Sequence, residues 1–491
     1  MPGALTPPGA ASSSLEAPLL ANGSAVFEGR TLLYDYVPWE QMSKQRRGLM
    51  WAMQLAHGLD RTLVLPPLRF HTSRANKYEF VPYSALFDLR PLAEIHPITE
   101  LHQPEALARP GHADIVFSLL RGMPPNVLSA EMGSGIAHAT NRYWVEGDCA
   151  KPIEAECEVD EQGEEECLTP LAHFAGAEGG LRVRNHTCGW SPDMRWDRIL
   201  RARDVRFEPT VALQGIIYQI PPPPSVNALV SYREAAVAGR AACGWRCPYE
   251  TMRAAMVYRR ELVDAAKGFL AYARMRHTAI GIAQQRGEVS SGAVLDYSSG
   301  DGPELGSGSS ITSAAADKVR VLAVHWRRGD FLARAGTEHT CFDEASGAQL
   351  YNGDTGARCV MASVVLTPQQ LALEVRDSLR THNATMVFLA SNAKPPEVAA
   401  LERELGGLPV IRYERPPPAP GSREPVAEHS APELAVIDTL VCALADAFIG
   451  TRRSMFSWNI LEERVLQDRA PATGRLMGLP RGTSTSPPKK A

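Results

Sequence analysis

The sequence has no run of the roughly 20 consecutive apolar residues that a bilayer crossing needs, so a membrane span is not expected. Its opening stretch, MPGALTPPGAASSSLEAPLLANGS, lacks both a basic region and an apolar run long enough for a secretory signal, and residues 1–30 read as a disordered tail. An excess of one charge is missing as well. Lysine plus arginine (51) nearly balance aspartate plus glutamate (55), which excludes a long-range field that would draw the chain onto nucleic acid. Any anion site must therefore be local. The phosphate loop GxxxxGK[ST] is absent, and no Asp-x-Asp offers the usual metal grip at a strand end. Cys243-Gly-Trp-Arg-Cys247 has no second ligand pair at zinc-site spacing, so a disulfide or free thiols outrank a metal, and no metal is expected.

What is present is an ordinary globular composition, 44% hydrophobic and 22% charged over 491 residues, enough for about two domains. Of the nine cysteines, Cys149, Cys157, Cys167, Cys188, Cys243 and Cys247 crowd into one region, a density typical of oxidising compartments, with buried free thiols as the competing reading. Glycosylation sequons at Asn22, Asn185 and Asn383 fit secretion but arise by chance at this length, so the compartment stays open.

Residues 31–36 (TLLYDY) have strand character, 41–59 read as a helix, and 61–65 (RTLVL) form a second strand. That order is a βαβ unit, and it implies a parallel sheet with ligands at the carboxyl ends of its strands. The acidic stretch 157–167 and the tetraproline 221–224 read as exposed loops, 252–275 as one helix, and the Ser/Gly-rich segment 287–316 as a flexible insertion. Strands at 320–324, 386–389, 409–413 and 447–449 then alternate with helices at 369–381, 397–405, 435–445 and onward to residue 465. The fold class is thus α/β, two Rossmann-like domains facing a cleft. The expected division is an N-terminal domain over 31–285, the insertion over 286–317, a C-terminal domain over 318–470, and a disordered tail over 471–491.

The sharpest local signal is His325-Trp326-Arg327-Arg328-Gly329-Asp330-Phe331, directly after the apolar strand RVLAV. An arginine at the carboxyl end of a parallel strand presents a planar fork of donors suited to a pyrophosphate, and Asp330 is placed to hold such a fork; a plain surface ion pair is the competing reading. Gly450-Thr451 follows another strand and leads into Arg452 to Ser457, where backbone amides and the Ser454 hydroxyl would meet phosphate at a helix N-terminus. A tight turn with Phe456 in the core would look the same.

The segment VHWRRGDF resembles the His-x-Arg-Arg-x-Asp-Phe signature of the GDP-fucose protein O-fucosyltransferases, especially the branch acting on thrombospondin repeats. Two further blocks share the resemblance in the same order. Leu32, Leu33, Tyr34, Asp35, Pro38, Glu40, Arg46 and Arg47 match the family's opening, and residues 436–464 (VIDTLVCALADAFIGTRRSMFSWNILEER) its closing block. Membership would imply a GT-B fold, a GDP-fucose donor and an inverting, metal-independent transfer. It would place Glu40 as catalytic base and Arg327 on the pyrophosphate, His325 and Asp330 beside it, Ser454, Met455 and Phe456 on the β-phosphate and guanine, and Asp438 nearer the base.

By that resemblance the acceptor is a Ser or Thr in a small disulfide-rich secreted module, and the location the endoplasmic reticulum or Golgi lumen. A cell-wall or matrix glycan is the alternative acceptor. A non-catalytic binder of GDP-sugar is the alternative class, raised by the bulkier Gln41-Met42-Ser43-Lys44-Gln45 where the family has glycine and asparagine close to the donor.

Overall fold

A computed structural model describes residues 30–34, 42–71, 78–100, 112–118, 157–159, 165–167, 182–188, 210–214, 249–285, 318–328, 341–342, 349–350, 366–413, 428–452 and 454–477. The first sheet holds β1 (Thr31–Tyr34), β2 (Thr62–Leu65), β3 (Ile98–Glu100), β4 (His112–Ser118), β5 (Arg182–Cys188) and β6 (Thr210–Gln214). Their spatial order is β5-β4-β6-β1-β2-β3, and every pairing is parallel. Helix α1 (Met42–Leu59) connects β1 to β2, the expected βαβ unit. Residues 42–45, the bulkier stretch after Glu40, lie in the first turns of this helix, as the 41–59 reading expects, with Met42 and Gln45 buried.

The second sheet is built from β7 (Val321–Trp326), β8 (Met386–Ser391), β9 (Val410–Ile411), β10 (Ala447–Gly450) and β11 (Gly474–Leu476). Its order is β9-β8-β7-β10-β11, again all parallel. The chain thus winds outward from β7 in both directions, and the direction reverses between β7 and β10. Crevices for ligands open at such a reversal, beyond the carboxyl ends of the strands. Parallel strands buried on both faces need continuous apolar sequence, and β7 meets this by alternation: Val321 and Ala323 enter one core cluster, Leu322, Val324 and Trp326 the other.

Four helices complete the second unit. α4 (Pro368–His382) and α6 (Ala431–Leu444) start with reciprocal capping boxes, Thr367 with Gln370 and Ser430 with Glu433, each followed by proline in the first turn. α5 (Pro395–Leu405) packs with α4 on the outer face, and α7 (Met455–Leu466) follows β10. The sequence predicts one helix over 252–275. The chain instead ends α2 (Tyr249–Ala255), extends through Val257–Tyr258 to pair with Phe87–Asp88, and restarts as α3 (Arg260–Gln285). Burial of Tyr258 against Phe87, ring centroids 4.9 Å apart, outweighs the weak helix preference of these residues.

α3 precedes the 286–317 segment but packs on the second sheet. Its Phe269 meets Phe388 and Tyr413, and Arg274 pairs at 2.9 Å with Asp446, whose Oδ2 also accepts from the Val321 amide. One core cluster runs from Leu32 and Leu63 of the first sheet through α3 to Val436 of α6 and Phe388 of the second sheet, so the two sheets share buried surface. Residues 471–476, expected in the terminal tail, form a short 3-10 turn and β11, which pairs with β10. Among the described residues, no helix is long and apolar enough to cross a membrane.

Candidate functional site

Strand β7 delivers His325 and Arg327 to the reversal point, and β10 delivers Gly450 and Thr451 beside them. Thr451 joins the two strand ends. Its amide and its hydroxyl both donate to the His325 carbonyl at 2.9 Å, and the same hydroxyl accepts from the Arg327 amide at 2.9 Å. The backbone at Arg327 is therefore fixed where the strand ends, and its side chain is only partly buried.

Gly450 is dictated by crowding. A Cβ there would sit 2.7 Å from Phe448 Cζ, 2.7 Å from Ser457 Oγ and 2.8 Å from Ser457 Cβ, so only glycine lets α7 start this close to β10. Ser457 is in turn hydrogen-bonded to His325 Nδ1 at 2.7 Å, and the His325 ring lies 4.7 Å from the ring of Phe456. Ser454 stands at the N-cap of α7, 1% exposed, yet its hydroxyl makes neither a cap bond nor any other hydrogen bond. An orphan hydroxyl at a helix N-terminus can donate to an anion, and the helix's unpaired amides and dipole favour negative charge at the same point.

The two adjacent arginines have different roles. Arg328 is committed to the scaffold: its Nε meets Glu397 Oε1 at 2.6 Å, its Nη1 the Leu366 carbonyl at 3.2 Å, and its guanidinium lies over the Trp326 ring. Burial raises the Glu397 carboxyl, but the Arg328 and Lys394 hydrogen bonds outweigh it and hold the pKa below the usual range. Asp438, on α6, is partly buried; loss of water raises its carboxyl to about 7, against the opposing pull of Arg412.

The structure brings together His325, Arg327, Ser454, Met455 and Phe456 around one turn. Glu40 and Asp330 lie outside the described residues. The Gly450-Thr451 turn is legible in the sequence; the hydroxyl bridge of Thr451 and the Ser457 contact to His325 are not, because they depend on two strands and a helix meeting. Glu462, Glu463 and Arg464, which close the motif block 436–464, prove architectural. Glu462 and Glu463 pair with buried Arg253, and Arg464 Nη1 donates to the carbonyls of Cys442, Ala443 and Ala445 at the end of α6. Burial lowers the Arg464 pKa to about 10. Among the described residues no group of three or more His, Cys, Asp or Glu side chains is placed to hold a metal.

The family model for GDP-fucose protein O-fucosyltransferases matches residues 41–467. The chain belongs to that family. A fucosyltransferase-family relative, GDP-fucose protein O-fucosyltransferase 2 of Drosophila melanogaster, is 37% identical over 98 residues, and this match spans 20% of the present chain and only about a fifth, 19%, of that protein. A crystal structure of POFUT1 in complex with GDP-fucose superposes with a TM-score of 0.50 at 13% identity, covering 92% of this chain and 98% of that one. At that identity the likeness speaks for the fold, two parallel α/β sheets of the GT-B type.

Proposed function

We propose that this chain is an inverting O-fucosyltransferase that moves fucose from GDP-fucose to a Ser or Thr hydroxyl of a protein. The observation that carries this reading is the buried, unpartnered Ser454 hydroxyl at the α7 N-terminus, beside Arg327 at the point where the second sheet reverses its winding. There the α7 amides and Ser454 receive the donor's β-phosphate, Arg327 forks onto the pyrophosphate, Phe456 and Met455 line the guanine side with Asp438, and His325 is held by Ser457 as part of the wall.

In the transfer, the acceptor oxygen bonds to the anomeric carbon as the bond from that carbon to the phosphate oxygen breaks. The electron pair leaves with GDP, where Arg327 and the helix N-terminus stabilise it, and Glu40 takes the acceptor proton. Attack opposite the leaving group inverts the centre, with the acceptor hydroxyl where an inverting glycosidase places water. Asp330 steadies the arginine. No metal is needed in this scheme, because fixed positive charge does the work of neutralising the departing diphosphate. The acceptor is a small disulfide-rich module, and the chemistry belongs in the endoplasmic reticulum or Golgi lumen, consistent with the cysteine density between residues 149 and 247.

The test is GDP release from GDP-fucose by purified protein with EDTA present, alongside Glu40→Gln and Arg327→Ala. The expected result is retained GDP binding with turnover lost in Glu40→Gln, and weakened GDP binding in Arg327→Ala. Folded protein that binds neither GDP nor GDP-fucose overturns the assignment.

A further inference from the structure

A buried charged cluster lies away from the donor turn and has no part in the scheme above. Arg253 of α2 donates from Nε to Glu462 at 3.2 Å and from Nη2 to Glu463 at 2.8 Å, all three side chains nearly closed to solvent. Glu463 also accepts from Gln467 through its other oxygen. Beside this pair, Arg46 of α1 is 2% exposed; its Nη1 meets the Tyr258 hydroxyl at 2.6 Å, and its guanidinium lies over the rings of Phe87 and Tyr258. Nε and Nη2 of Arg46 make no hydrogen bond at all. The Tyr258 phenol is close enough to feel the charges of Arg46, Glu463, Arg253 and Glu462.

The positions of these residues give the cluster its meaning. α1 follows residue 40 in the chain, and α7 begins at the donor turn; α1 touches both α2 and α7. Two buried carboxylates and two buried guanidiniums are a costly way to hold helices together, since apolar residues of similar volume commonly do as well or better. What charge adds over apolar packing is a single register, because only one alignment of α7 against α2 satisfies both glutamates.

We propose that Arg253 is a positioning residue for fucosyl transfer: its paired contacts to Glu462 and Glu463, together with the Arg46–Tyr258 contact, fix α7 and its donor turn relative to α1, the helix that follows Glu40 in the chain. The inference rests on the donor and base assignments made above. Because Arg253 acts through the helix and not on the nucleotide, its loss separates binding from turnover.

The experiment compares Arg253→Met, Arg253→Lys and Tyr258→Phe with the parent chain, reading GDP affinity by calorimetry, kcat and KM for GDP-fucose, and amide exchange over α1 and α7 with and without GDP. In Arg253→Met, GDP affinity should stay near the parent value while kcat falls about 100-fold, the effect expected of a misplacement near 1 Å at the reacting centre. Arg253→Lys should recover part of kcat, and GDP should slow exchange in α1 of the parent but not of Arg253→Met. If Arg253→Met does not fold, Tyr258→Phe, which removes one hydroxyl, should still lower kcat without changing GDP affinity. Variants that lose only thermal stability, with kcat and the α1 response to GDP intact, overturn the inference and leave the function standing. A parent chain that binds no GDP overturns both.

Discussion

Replacing Ser454 by alanine should move stability and ligand affinity in opposite directions. An N-cap serine normally contributes about 0.5–2 kcal/mol through its bond to a first-turn amide, so its loss destabilises an ordinary helix. Here the hydroxyl makes no cap bond and is 1% exposed with no partner. In the ligand-free protein Ser454→Ala thus removes an unsatisfied buried group, worth about 1 kcal/mol or more, and should leave the melting temperature unchanged or raise it by about 2 °C. If the Ser454 hydroxyl receives the β-phosphate as proposed, the same change deletes a hydrogen bond to a charged phosphate, about 1.5–3 kcal/mol, so the dissociation constant for GDP should rise roughly 10- to 100-fold. Differential scanning fluorimetry of the free protein and calorimetric titration with GDP read the two effects separately. A fall of several degrees in melting temperature with unchanged GDP affinity would refute the reasoning and make Ser454 a plain helix cap.

Gly450→Ala forces a methyl to within 2.7 Å of Ser457 Oγ and Phe448 Cζ, so it should cost about 1–3 kcal/mol in denaturant unfolding and weaken GDP binding by displacing the first turn of α7; wild-type affinity would show that the turn gives way freely. Asp438, with its carboxyl raised to about 7, is protonated in the free protein below that pH, so if it accepts from the guanine ring GDP affinity should fall up to tenfold per pH unit below 7 and level off above. Asp438→Asn should abolish that slope, and an unchanged slope would remove Asp438 from the base. His96 is buried, its Nε2 2.6 Å from the Arg61 carbonyl, and burial lowers its pKa from 6.5 to about 4. The unfolded chain therefore takes up a proton first. This contribution, about 3 kcal/mol, is complete above pH 6.5 and is lost as pH falls through 4, and His96→Gln should flatten the unfolding free energy between those values.

The sequence by itself determined the elements whose burial is written locally. Strands such as VLAVHW are apolar except at His325 because both faces of a parallel sheet are covered, and helix starts such as Thr367-Pro-Gln-Gln and Ser430-Ala-Pro-Glu carry their caps within four residues. The ordered motifs also pointed to the turn after β10 and the end of β7, which the structure sets side by side where the second sheet reverses its winding. Tertiary structure alone decided what depends on residues far apart in the chain. It committed Arg328 to Glu397, joined the strand ends through Thr451, broke the predicted 252–275 helix at Tyr258, and turned Glu462 and Glu463 toward Arg253. The reason is physical: a guanidinium beside a strand end looks the same in sequence whether its partner is a ligand or a carboxylate some seventy residues away, and only packing determines which one it meets.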